Sequence, residues 1–270
     1  MLSNLANAII ANIYFFLTFF AGHCPHRYIS FQNNIIIAYS NENNRFLNYV
    51  LNAKFNTQNV ANKVDKVVNF FKFKNLHNFN WWVFPKNDQP SNLSEILKNK
   101  DFKLQETYFN MYLELDKLDL SQIPKNQDSG FIIKGVTTPQ MLKIFGQILV
   151  DAEFIDLDSN KLLEGFPLKF FNGDESGLEF YIGYLNGKPV SCICLIFHAG
   201  VIGYNLLAVL PEYRSHGYGK MMCLHAIKRA LNRNFKIACF QVEEKYKQIY
   251  EHYGAISLPE CNICKYTYQG

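Results

Sequence analysis

The chain carries little net charge for its length. Lysine and arginine exceed aspartate and glutamate by four, 27 against 23, too small a surplus to mark a nucleic-acid-binding surface. It lacks the cysteine framework of a secreted scaffold. The seven cysteines are odd in number and irregularly placed, which suits reduced thiols in the cytosol. A metal set is missing as well: Cys261-x-x-Cys264 is a close pair without the second pair that a structural zinc site needs. No Lys or Arg precedes Arg27, so the apolar start has no basic n-region of a secretory signal. No solenoid repeat appears. Apolar residues are plentiful, at 49% with 24 phenylalanines among 270 residues. That describes a globular chain with a substantial core, long enough for one large domain or two small ones.

The stretch from Ala8 to Gly22 is strongly apolar but shorter than the roughly 20 residues that cross a bilayer, and Asn4, Asn7 and Asn12 interrupt its approach. Leu2, Leu5, Ile9, Ile13, Phe16 and Phe20 share one helical face. The reading is a docked amphipathic helix in a cytoplasmic protein, with no membrane span. Strands follow at 28–31 and 35–39 around Asn33-Asn34, and another at 46–55. Val60, Val64, Val67, Val68 and Phe71 predict a helix over 58–72. A buried strand at 80–84 stops at Pro85, a helix spans 93–99, and a strand spans 109–118. Asp119 to Gly130 is polar and rich in breakers, which makes it the linker between domains at 1–125 and 130–270.

In the second domain, a strand at 131–136 leads to a helix opened by Thr138-Pro139. A hairpin turns at Asn186-Gly187. Its second strand, Lys188 to Phe197, is apolar on both faces and belongs at the centre of a sheet. Eight acidic residues between Asp151 and Glu179 form either a solvated surface or a negative rim that attracts an amine.

The segment from Gly203 to Arg233 organises the rest. An apolar strand through Leu207, Ala208 and Val209 meets Pro211, then the turn Arg214-Ser215-His216-Gly217-Tyr218-Gly219-Lys220, then a helix with Met221, Met222, Leu224, Ile227 and Leu231 at helical spacing. A helix start has unpartnered N–H groups and positive potential, and glycines let an anion approach them. The segment therefore suits phosphate.

These residues resemble the acyl-CoA signature of the GNAT superfamily of N-acetyltransferases, Arg/Gln-x-x-Gly-x-Gly/Ala after a strand and a proline. The resemblance implies an α/β fold, a mixed central β-sheet flanked by helices. The first domain resembles the degenerate N-terminal half of tandem GNAT proteins, through Trp81, Trp82, Val83, Pro85, Pro90, Leu93 and Met111. It has no Arg-x-x-Gly-x-Gly of its own, which points to a structural or substrate-shaping role.

The implied activity is transfer of an acetyl group from acetyl-CoA (coenzyme A) to a primary amine, on a small molecule or a peptide. Residues 215–220 would meet the pyrophosphate, with Arg214 and Lys220 adding charge. Backbone groups of Leu207, Ala208 and Val209 would hold the pantetheine arm and the acyl oxygen. Ile249-Tyr250-Glu251-His252-Tyr253-Gly254-Ala255 resembles the family's Leu-Tyr-x-x-x-Gly-Phe segment, so Tyr250 would protonate the leaving sulfur, with Tyr253 as the alternative. An Asn usually stands six residues before that Tyr, and Glu244 stands here. Glu179, His198 and Glu244 are candidate bases. The competing expectation is a GNAT-fold protein that binds acyl-CoA without transferring the acyl group.

Overall fold

A computed structural model describes residues 2–24, 26–32, 34–56, 58–118, 130–155, 163, 166–167 and 177–270. Of the expected linker only Gly130 falls within these residues, and of the acidic stretch only Asp151, Glu153 and Glu179. The chain divides into two compact units. One comprises Met1–Phe16, Met111–Gln241 and Tyr253–Ile256, the other Leu17–Asn110, Val242–His252 and Ser257–Gly270. Each unit borrows residues from the opposite end of the chain.

The elements alternate in the α/β manner. They are α1 (Leu2–His23), β1 (Arg27–Gln32), β2 (Ile35–Ser40), β3 (Tyr49–Leu51), α2 (Val60–Phe73), β4 (Asn80–Val83), α3 (Leu93–Lys98) and β5 (Phe102–Glu114). There follow β6 (Phe131–Gly135), α4 (Pro139–Asp151), β7 (Leu178–Leu185), β8 (Lys188–His198), β9 (Val201–Val209), α5 (Tyr218–Asn232), β10 (Ile237–Glu243), α6 (Glu244–His252), β11 (Ile256–Ser257) and β12 (Ile263–Tyr268). Two expected strands move. The one expected at 46–55 shrinks to β3, because Asn52 turns the chain with a φ of 55°. The one expected at 109–118 begins earlier, at Phe102, and leaves through a 3-10 turn at Leu115–Lys117.

In the first unit, β6, β7, β8 and β9 pair antiparallel in that order, and β10 joins β9 in parallel. β8 is central and buried from Val190 to Ile196, as its two-sided apolar sequence requires. The β7–β8 turn has Asn186 at φ 50° and Gly187 at φ 84°, the geometry of a type I′ hairpin. Thr138 caps α4, its hydroxyl accepting from the Met141 N–H. The N-terminal part of α1 packs here too. Ile9 and Ile13 are buried, and so is Asn12, whose amide donates to the carbonyls of Ile196 (3.0 Å), His198 and Val201 (both 3.3 Å). An ideal Cβ on Gly203 would lie 2.1 Å from Asn12 Oδ1, so this approach requires glycine.

The second unit repeats the pattern. β1, β2 and β3 pair antiparallel and β4 joins β3 in parallel. β12, from the C-terminal end of the chain, lies antiparallel between β4 and β5. α2, through Val64 and Phe71, and α3, through Leu93 and Leu97, share a core with Phe55, Phe79, Trp81, Phe102 and Tyr266. Truncating a fully buried aromatic such as Trp81 in a core of this kind costs about 3–5 kcal/mol.

The two parallel pairs end differently. β3 meets β4 at Tyr49–Asn80 and Val50–Trp81. The chain beyond each strand then rejoins: Gln89 N donates to Ala53 O (2.8 Å) and Phe55 N donates to Gln89 O (3.1 Å). β9 meets β10 from Ile202–Ala238 to Tyr204–Phe240. Among the described residues of that unit, no later bridge rejoins them, although β9 runs on to Val209.

Candidate functional site

The end of β9, which pairs with β8 but runs past its last pair with β10, starts with a bulge. Cys192 faces Ala208 and Cys194 faces Asn205, so Leu206 and Leu207 together oppose Ile193. Leu206 absorbs the extra residue at a φ of 51°, a left-handed conformation that costs a non-glycine residue about 1–2 kcal/mol. Its carbonyl accepts from the Cys192 thiol at 3.6 Å. Beyond the bulge, Ala208 is buried and Leu207 and Val209 are half-buried. This bulge was not legible in the sequence, because it arises from the register between two strands.

The chain then makes a 3-10 turn at Pro211–Tyr213 and an extended residue at Arg214. Ser215 follows at φ 64°, and Gly217, the N-cap of α5, at φ 85° and ψ 0°. Left-handed residues alternating with others turn successive N–H groups toward one concave side. The α5 ladder begins with Met221 N donating to Gly217 O at 3.0 Å, so the amides of Tyr218, Gly219 and Lys220 precede it. The N-cap glycine has no side chain with which to cap them, and no acidic residue lies in the first turn. The helix dipole adds positive potential at the same place. These features fit a diphosphate.

The glycines differ in purpose. Gly217 is required by its φ, since a Cβ there would meet nothing within 4 Å. At Gly219, which needs no special φ, a Cβ would stand 3.5 Å from Val209 Cγ2. Its missing side chain keeps the space between the helix start and the end of β9 open.

The side chains of the turn are largely committed elsewhere. Arg214 Nε donates to Val209 O at 3.1 Å and its Nη2 to Ala152 O at 2.7 Å. The guanidinium thus ties the turn to the ends of β9 and α4. The Lys220 ammonium sits 4.4 Å from the Tyr253 ring centroid. Tyr218 is buried and stacks on Phe131 at 4.9 Å. Ser215 and His216 are exposed, with His216 Nδ1 2.7 Å from Arg214 O. What the turn offers an anion is mainly backbone.

Of the candidate bases, Glu179 is buried on β7. Arg229 grips its carboxylate with both Nε (3.1 Å) and Nη2 (2.6 Å), Arg233 Nη2 lies 2.8 Å away, and the Tyr181 hydroxyl donates at 2.6 Å. A carboxylate so occupied is an anchor, and the amine-attracting rim expected of it does not include it. His198 is half-buried, stacked on Phe15 at 4.4 Å, and burial lowers its pKa. In the other unit, Tyr250 is half-buried on α6, with Tyr246 and Ile249 exposed beside it, and Glu244 is exposed at the start of that helix.

Comparison with known proteins agrees with this geometry. Residues 147–254 match the family model of the Acetyltransferase (GNAT) family. A GCN5-related N-acetyltransferase from Kribbella flavida superposes with a TM-score of 0.70 at 14% identity, over 98% of this chain and 95% of that one. A tandem GNAT protein from the clavulanic acid biosynthesis pathway superposes with a TM-score of 0.60 at 11% identity, over 90% and 83%. At these identities the likeness is one of fold. In sequence, the holothin acyltransferase of Pseudoalteromonas sp. is 32% identical over 82 residues, 30% of this chain and 27% of that protein's length. The chain therefore has a GNAT fold, and over residues 147–254 it matches the acetyltransferase (GNAT) family model.

Proposed function

We propose that the protein is an N-acetyltransferase that moves an acetyl group from acetyl-CoA to a primary amine of a small molecule or peptide. The observation that carries this reading is the glycine-capped start of α5 following the bulged end of β9, which runs past its last pair with β10. The acyl carrier, when bound, supplies a thioester. The amides of Tyr218, Gly219 and Lys220, with those of Ser215 to Gly217, hold its diphosphate. Backbone groups of Leu207, Ala208 and Val209 orient the pantetheine arm and polarise the acyl oxygen, a preorganised contribution of about 3 kcal/mol per donor in a dry site. Arg214 keeps the turn in place from behind. The Tyr250 hydroxyl holds the proton that the departing sulfur needs. The unit built on Met111–Gln241 serves as the acyl-CoA-binding domain and the unit built on Leu17–Asn110 as the degenerate GNAT-like one. The seven free thiols suit a reducing, cytoplasmic setting.

A second reading, an acyl-CoA binder without transfer, draws support from Glu244 at the usual Asn position and from the engaged carboxylate of Glu179. Thiol release from acetyl-CoA across an amine panel separates the two. Amine-stimulated release, with kcat lowered more than KM in Tyr250→Phe, supports transfer. Tight binding with no amine-stimulated release supports the binder. Equal activity in Tyr250→Phe removes that residue from the mechanism.

A further inference from the structure

The N-terminal amides of α5 can serve a diphosphate only if the helix is fixed along its own axis. Apolar contacts hold a helix against a sheet but let it slide; directional contacts do not. α5 is buried against the sheet through Tyr218, Met222, Ala226, Ile227 and Ala230, a stripe of that slippery kind. Arg214 ties down the turn ahead of the helix, and within the helix a directional hold lies at the far end. Arg229 and, one turn on, Arg233 both close on Glu179, which is 7% exposed and receives Tyr181 on its second oxygen. The forked Arg229 contact fixes orientation as well as distance. Two cations near the helix C-terminus also complement its dipole.

We propose that Glu179 is a positioning residue for acyl-CoA: by clamping Arg229 and Arg233, it sets the placement of α5 and so the aim of the amides of residues 218–220 at the diphosphate. This rests on the acyl-CoA reading above. It assigns a role to the one acid that the sequence offers in β7, and the role is neither base nor surface charge. A misplacement of about 1 Å, even from a change far from the reacting atoms, can cost about a hundredfold in the rate of a positioned reaction.

The test compares two ligands that differ in the diphosphate. Binding of coenzyme A and of acetylpantetheine, which has no diphosphate, is measured on the full chain by calorimetry or ligand-observed NMR, with wild type alongside Glu179→Gln. The isosteric change keeps the shape and removes the charge. The expected result is a loss of at least tenfold in coenzyme A affinity, with acetylpantetheine affinity within twofold of wild type. Equal weakening of both ligands, or of neither, with only a lower melting temperature, overturns the proposal and leaves Glu179 a purely structural anchor. Should Glu179→Gln fail to fold, Arg229→Lys, which keeps the charge and loses the fork, is read by the same ratio. A wild-type chain that binds no coenzyme A would instead refute the acyl-CoA reading itself.

Discussion

Gly217 and Gly219 stand two residues apart and answer differently to the same substitution. Gly217 holds a left-handed φ of 85°, so Gly217→Ala strains the backbone by about 1–2 kcal/mol and lowers the melting temperature. Gly219 lies inside α5, where alanine gains up to about 1 kcal/mol in helix propensity over glycine. Its new Cβ meets Val209 at an ordinary 3.5 Å. Gly219→Ala should therefore leave thermal stability level or higher while weakening coenzyme A binding. Differential scanning fluorimetry beside calorimetry checks the pair, and tighter binding in Gly219→Ala would contradict the open-space role. Asp88 supplies a pH signal. Its buried carboxyl is pushed up to about 7 by desolvation, against the opposing N–H of Phe84, which donates to it at 2.9 Å. A folded pKa above the unfolded value of about 4 means stability present at low pH and lost as pH rises through about 7, on the order of a few kcal/mol. Asp88→Asn should gain stability relative to wild type at pH 8.5 and gain less at pH 5, as read by urea unfolding; the same difference at both values would remove Asp88 from the pH response.

At the scale of elements, α1 is the informative helix. It is the one helix among the described residues long and apolar enough to cross a membrane by length and composition. Yet Asn12 is buried with three carbonyl partners on β8 and β9, which ties this part of the helix to the sheet. Asn12→Leu makes the segment more apolar but strands those carbonyls, at about 1–3 kcal/mol. The expected outcome is a melting temperature lower by several degrees without membrane association; an unchanged melting temperature with vesicle binding would reverse the assignment. The helix itself was legible in the sequence, whereas the partners of Asn12, more than 180 residues away, were not. The same division recurs elsewhere. The hairpin at Asn186-Gly187 and the turn into α5 were readable because their chemistry is local. Glu179 looked like a rim acid because Arg229 lies 50 residues away in sequence. The place of β12 between β4 and β5 was hidden because strand pairing is non-local.

For the whole molecule, the two halves run through a similar succession of elements, to which the second adds β6 ahead of its first helix. α2 also opens on a left-handed residue, Asn59 at φ 58°, without a side-chain cap, so the cap does not distinguish the halves. The rejoining of residues 53–55 with Gln89 does: among the described residues no such bridge links β9 to β10 beyond Tyr204–Phe240. The proposed acyl-CoA reading expects one coenzyme A per chain. The most direct measurement titrates the 15N-labelled chain with coenzyme A and follows its amide resonances. The account predicts saturation at one equivalent, with the largest shifts at the amides of residues 215–220. Saturation with those amides unmoved, or with the shifts concentrated around Asn59 and Val60, would contradict it.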